Sequence, residues 1–160
     1  MRKLVTSSLV ISGAVLLGGA ALAAPSAQDL TDAVKAGDHG RVAALIAMHV
    51  NVNEALPDNS RALSWAVDRQ DEASVRMLLD AGEDPNRYNP LGGHSHTTPL
   101  HQAALIGNDA LVRLLVERGA NPNTRDLMWD GTPADWARHE GHTEAEVFLR
   151  GLEAGGLISK

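Results

Sequence analysis

Histidine is the residue with which this chain could do chemistry, because it contains seven histidines and no cysteine. His94, His96 and His101 fall within one stretch of eight residues, and His139 and His142 are three apart. Short histidine-rich tracts can hold Zn²⁺ or Cu²⁺. No cysteine and no fixed carboxylate partner stands beside these, so the sequence points away from a resident metal. Ser95 lies between two of the histidines and could be drawn into a triad with Asp109 or Asp130. Nucleophilic catalysis needs a positioned base and an oxyanion hole, and no G-x-S-x-G turn is present to supply them. Gly92-Gly93-His94 is a poor phosphate loop, since no helix N-terminus clearly follows and no lysine is near. The reading is a non-enzymatic protein without a cofactor.

Composition limits the elements that could position these residues. Hydrophobic residues make up 44% of the 160, but aromatics only 3%. The core must therefore be built from Leu, Val, Ile, Ala and Met, which suits many small packed helices better than a β-sandwich. One domain is the default at this length. Twenty acidic residues against 14 basic ones give a net charge of −6. Such a chain is repelled by phosphate backbones, so nucleic acid is not an expected partner.

The first residues read as an export signal. Arg2 and Lys3 precede "LVTSSLVISGAVLLGGAALAA", which carries no charge, and Ala21-Leu22-Ala23 is a small-residue cleavage site. Residues 1–23 are expected to be removed after Ala23. The alternative is an uncleaved anchor, since the stretch is long enough to span a bilayer. A signal of this kind suggests the periplasm of a Gram-negative bacterium, with secretion as the other route. Small exported domains often need disulfides, and this chain has no cysteine, so packing alone must hold it.

The remainder repeats. "AQDLTDAVKAGDHGRVAALIAMHVNVN", "NSRALSWAVDRQDEASVRMLLDAGEDPN", "TTPLHQAALIGNDALVRLLVERGANPN" and "GTPADWARHEGHTEAEVFLRGLEAGG" align. The turn between their two helical stretches falls at Gly37, Gln70, Gly107 and Gly141, in steps of 33, 37 and 34 residues. A period near 33 is that of a helix–turn–helix repeat. In the third unit Thr98 is placed to cap a helix beginning at Pro99. Ala103 and Ala104 let neighbouring helices approach closely. Gly107 permits the sharp turn. Asp109 is placed to cap the second helix, whose apolar face is Leu111, Val112, Leu114, Leu115 and Val116. Gly119 ends it in a left-handed conformation.

"TPLHQAALIGN…LVRLLVERGANPN" resembles an ankyrin repeat, and the likeness extends over about residues 27–152. It implies an all-α solenoid of about four helix–turn–helix repeats, near 27–56, 57–89, 90–126 and 127–154, with the outer two as caps. Residues 24–28 are expected as a linker, 29–152 as the repeat domain and 153–160 as a tail. The first unit departs from the pattern in having His49 where a helix-ending glycine is expected. The resemblance also implies that His101, in "TPLH", and His142, in "GH", are structural, which leaves only His94 and His96 as candidate metal ligands.

Two departures could carry function. From Asn86 to Thr98 is 12 residues, against 8 from Asn53 to Arg61 and 9 from Asn123 to Thr132. The third finger, "RYNPLGGHSHT", therefore has about four extra residues and the fourth about one. Solenoid insertions often map to the binding face, although neutral lengthening of a loop costs little. Trp65 and Trp136 share one inner-helix position with Asp32 and Gln102. The resemblance implies that this position faces the concave groove, with Asp68, Arg69, Leu105, Ile106, His139 and Glu140 further along it. Trp129 and Tyr88 lie in fingers. Tryptophan and tyrosine are enriched at interface hot spots, but each could equally pack against neighbouring helices and finger stems. Leu105-Ile106 is either a sticky centre of the groove or a pair of which one tucks under the long finger.

These readings converge on non-catalytic protein binding by a monomer. The partner is expected to be a periplasmic protein with a basic or mixed surface, bound through Trp65, Asp68, Arg69, Tyr88, Gln102, Leu105, Ile106, Trp129, Trp136 and His139. Regulating, stabilising or inhibiting an exported enzyme is the expected role. Neutralising a toxic periplasmic effector, as an immunity protein does, is an alternative, and metal binding by His94 and His96 is another. Membrane contact is expected only through an uncleaved anchor.

Overall fold

The computed structural model describes residues 24–58, 60–89 and 96–155. The export signal of residues 1–23, His94 and most of the third finger's insertion lie outside them. Among the described residues there are eight α-helices and no strand. They are α1 (Ala27–Ala36), α2 (His39–Ala47), α3 (Ala62–Asp68), α4 (Glu72–Asp80), α5 (Pro99–Ile106), α6 (Asp109–Glu117), α7 (Pro133–Glu140) and α8 (Thr143–Glu153). No described helix is long and apolar enough to cross a membrane.

Each repeat is one hairpin. The odd-numbered helices stack on each other in one layer and the even-numbered ones in a second, each pair also packing together. One continuous core results, from Leu30 and Val34 through Leu63, Val67, Leu100 and Leu111 to Leu149. Close approach of the inner helices depends on Ala33, Ala66, Ala103, Ala104 and Ala137, all fully buried. No hairpin has a buried face of its own, which is why these units are stable only in series.

The hairpin turn is a backbone device. Gly37, Gln70, Gly107 and Gly141 all adopt positive φ, between 55° and 81°. The next residue caps the outer helix: Asp38 accepts from Arg41 N–H, Asp71 from Ser74 N–H and Asn108 from Leu111 N–H. The cap of α6 is thus Asn108, not Asp109, which is already the first helical residue. A residue with φ and ψ near −89° and 91° lies outside the helix and can present its side-chain oxygen to the free amides. In the last repeat His142 takes this place and instead bonds to the Leu105 carbonyl of the preceding repeat (3.0 Å). His49 also sits in the left-handed region, with φ 60°, without glycine's freedom there.

At the other end, α1 begins at Ala27, inside the expected linker, because Ser26 and Asp29 form a capping box. Thr132 and Asp135 do the same for α7. At α5, Thr98 N–H donates to His101 Nδ1 (3.2 Å), so Nε2 carries the proton and donates to Gly131 O (3.2 Å) in the next finger. Burial pushes His101 below the ordinary histidine value, which keeps this neutral tautomer.

Repeat two breaks the pattern. Its cap position is Arg61, which makes no side-chain cap bond. Glu83 caps the helix in its place, with Oε1 accepting from Leu63 N–H (3.2 Å). Glu83 is buried where the neighbouring repeats carry Val50 and Ala120, and its Oε2 has no partner. Burial pushes its carboxyl up to about 8, from 4.5.

Two predictions follow from these positions. A Cβ at Gly107 would meet both its left-handed backbone and the ring of His142, whereas one at Gly141 has open space. Gly107→Ala should therefore destabilise the chain by about 3 kcal/mol and Gly141→Ala by about 1 kcal/mol in urea unfolding. Between pH 4.5 and about 8 the folded chain keeps a proton on Glu83 that the unfolded chain has lost, so stability falls as pH rises through that window. Glu83→Gln keeps the oxygen bonded to Leu63 and cannot ionise. The stability difference between the two proteins should grow across the window in favour of the variant, to the order of 2–4 kcal/mol at pH 8.

Candidate functional site

The fourth finger carries Leu127, Met128 and Trp129, which are 70%, 61% and 66% exposed. Three consecutive exposed apolar side chains are unusual on a soluble surface. They are held in place by one carboxylate. Asp126 is buried and accepts hydrogen bonds from Met128 N–H (2.8 Å), Trp129 N–H (2.7 Å), Gly131 N–H (2.9 Å) and the Trp136 indole Nε1–H (3.1 Å). Burial opposes its charge, but these donors outweigh burial and hold the carboxyl below the usual range. The tip is therefore ordered before any partner arrives, which lowers the entropic cost of binding.

The third finger buttresses the fourth. Tyr88 Oη–H donates to Arg125 O (2.8 Å), Leu127 N–H to His96 O (3.0 Å), and His101 reaches Gly131 O. The His96 ring stands edge-on to Trp129, with centroids 5.6 Å apart, and Trp129 lies tilted 5.0 Å from Trp136.

Between this finger and α7 is a groove of about 890 Å³, lined by Trp129, Asp130, Gly131, Asp135, Trp136, Arg138, His139 and Glu140, with Leu105 from α5. Thr132 N–H and Arg150 hold Asp135 down to about 2. Arg150 also bonds Glu153 (3.0 Å), so the outer end of the solenoid is closed by ion pairs.

Leu105, Trp129, Trp136 and His139, four of the residues expected to bind a partner, meet in this groove. Two expectations of exposure are corrected. Trp136 is only 8% exposed, because its indole bonds Asp126 and lies under the finger. Gln102 is buried as well. Its amide donates to Asp68, and its oxygen accepts from Asn89 Nδ2 (3.1 Å), tying the second and third repeats together. Trp65 is half-buried on the core, with the Lys35 ammonium 4.3 Å above its ring. Of the pair Leu105-Ile106, Ile106 packs against the core and Leu105 lines the groove. Asp68 and Arg69 are exposed but lie outside the groove lining, as does Tyr88.

Sequence reasoning placed Glu140 on the groove and weighed Asp130 only for a triad, and it missed Asp126, Gly131, Asp135 and Arg138. Asp126 was detectable: an aspartate two and three residues before the amides it binds is the spacing of an Asx-turn. Among the described residues no three His, Asp or Glu side chains come together as a metal site requires. His96 faces the indoles, and its ring nitrogens have no hydrogen-bond partner.

Asp126→Ala should release the tip. It is expected to cost about 2–4 kcal/mol of stability, and to speed amide hydrogen exchange at Met128, Trp129 and Gly131 more than at the amides of α3.

Residues 30–126, more than half of the chain, match the family model for ankyrin repeats in three copies. The chain is 36% identical over 96 residues to cyclin-dependent kinase 4 inhibitor B of Bos taurus, covering 60% of this chain and 68% of that protein. It is 38% identical over 87 residues to the ARF GTPase-activating protein GIT1 of Homo sapiens, covering 54% of this chain and 11% of that protein. With protein PhlB of Serratia liquefaciens it shares 37% over 82 residues, covering 51% of this chain and 34% of that protein. It thus spans only a small part of some of its curated relatives. Four stacked hairpins with exposed fingers form a protein–protein interaction module, and the chain belongs to the ankyrin-repeat family.

Proposed function

We propose that this chain is an exported, periplasmic binding protein that holds one partner protein in the groove between its fourth finger and α7, and thereby regulates, stabilises or inhibits an exported enzyme. One observation carries the reading: Leu127, Met128 and Trp129 are exposed in sequence on a tip whose amides are already fixed by Asp126. A rigid apolar anchor beside a groove with a charged rim is the arrangement of interface hot spots. The export signal read in residues 1–23 supports the location. That one similar protein is named as an inhibitor of a kinase supports an inhibitory role.

The test is affinity capture from periplasmic extract with the purified chain. Trp129→Ala should weaken capture of the principal partner by roughly tenfold or more, about 1.4 kcal/mol. Met48→Ala, which removes an exposed apolar side chain in repeat one, should leave it unchanged. Equal loss with both variants, or none with either, would remove the fourth finger from the interface. Fractionation of the source cells checks the location: the chain should appear in the periplasmic fraction, shortened by its first 23 residues.

A further inference from the structure

Repeats two and four answer the same structural question differently. Trp65 and Trp136 hold equivalent inner-helix positions. The matching position of the preceding repeat stands two before the hairpin turn: Lys35 before Gly37, Leu105 before Gly107. Lys35 is the only lysine among the described residues, and its ammonium sits 4.3 Å over the Trp65 ring. At the fourth repeat Leu105 instead shares a groove with the indoles of Trp129 and Trp136, and the lining holds three carboxylates, Asp130, Asp135 and Glu140, against one guanidinium, Arg138.

Resting on the protein-binding reading above, we infer that this groove takes a lysine or arginine side chain from an extended segment of the partner protein. The alkyl stem lies along Leu105 and the indole of Trp129, as amphipathic cations do on apolar surface. The cationic head meets the aromatic faces and the acidic rim, the same pairing Lys35 and Trp65 make within the chain. Asp130 and Glu140 are the accessible acids, with side chains 81% and 40% exposed. Asp135 is taken by Arg150 (2.7 Å) and Arg138 (3.5 Å), which leaves Asp130 and Glu140 to meet an incoming cation. Arg125 engages Asp130 through Oδ2 (3.2 Å) and Glu140 touches the His139 ring (2.9 Å), so the incoming cation shares these acids with weaker, exposed partners. Apolar side chains flanking the cation in the segment would cover Leu127 and Met128.

The experiment is selection of a displayed library of random 12-residue peptides on the full chain, followed by titration of the selected peptides by tryptophan fluorescence. The expected sequences carry Lys or Arg flanked by apolar residues. Their binding should weaken at least tenfold with Trp129→Ala and with Asp130→Asn plus Glu140→Gln, and should fall with added salt. Both variants alter exposed side chains, and circular dichroism confirms that they remain folded. Selected peptides without a cation, or binding that ignores Trp129→Ala, would overturn the inference. So would a chain that sediments as a dimer through Trp129, which would give the groove to a second copy. If no peptide is selected while extract capture still depends on Trp129, the inference fails and the protein-binding reading stands. Failure of that capture removes the reading itself.

Discussion

The inner helices approach as closely as alanine allows. Ala33, Ala66, Ala103, Ala104 and Ala137 are the side chains at which neighbouring hairpins touch, and none has exposed surface to give up. A larger side chain at any of them would separate two repeats and open the core on both sides, because interiors at this density do not absorb an extra methylene without strain. All other features are arranged around that spacing. The hairpin turns must be left-handed to return the chain within a few residues, the inner helices must start at the same height, and the fingers must then project at a fixed interval.

The fourth finger uses that regularity. Its tip is held from below by Asp126, from the side by His96 and Tyr88, and from behind by His101. The third finger's extra length is tied to this support, since Tyr88 and His96 stand at the two ends of the inserted stretch. Binding loops placed on a rigid frame in this way keep their shape without a core of their own. The same frame consumes Gln102 and Trp136, which the repeat register places on the groove but hydrogen bonding draws inside.

Much of the fold was legible because repetition multiplies a weak signal. One "TPLH…GANPN" segment would be suggestive, while four in phase fix the helices, the turns and their order. The third helix pair illustrates this: Thr98, Pro99 and Gly107 mark its inner helix to the residue. What repetition cannot show is where a repeat departs from its neighbours. Glu83 replaces the missing cap of α3 from twenty residues away, and Asp126 reaches Trp136 across a turn. Both are partnerships set by three-dimensional closure, and pattern matching reads each residue only against its own column. His49 is the converse case: its departure was visible, and the backbone adopted the left-handed turn anyway because the stacked helices demanded it.

The asparagines closing the first two units have a consequence for where the molecule can vary. Asn53 Nδ2 donates to Gly82 O (2.8 Å) and its oxygen accepts from Asp84 N–H (2.9 Å), and Asn86 treats Gly119 and Asn121 in the same way (2.9 and 2.7 Å). Each side chain is a tooth that engages both polarities of the next unit's backbone, so together they act as a ruler with one mark per repeat. Added residues upstream of a tooth would misalign every mark after it, whereas residues added beyond it change only the local profile. The larger length change in this chain lies beyond a tooth, after Asn86. Diversity is thereby channelled to the edge that meets the outside world, and the body of the array stays in gauge.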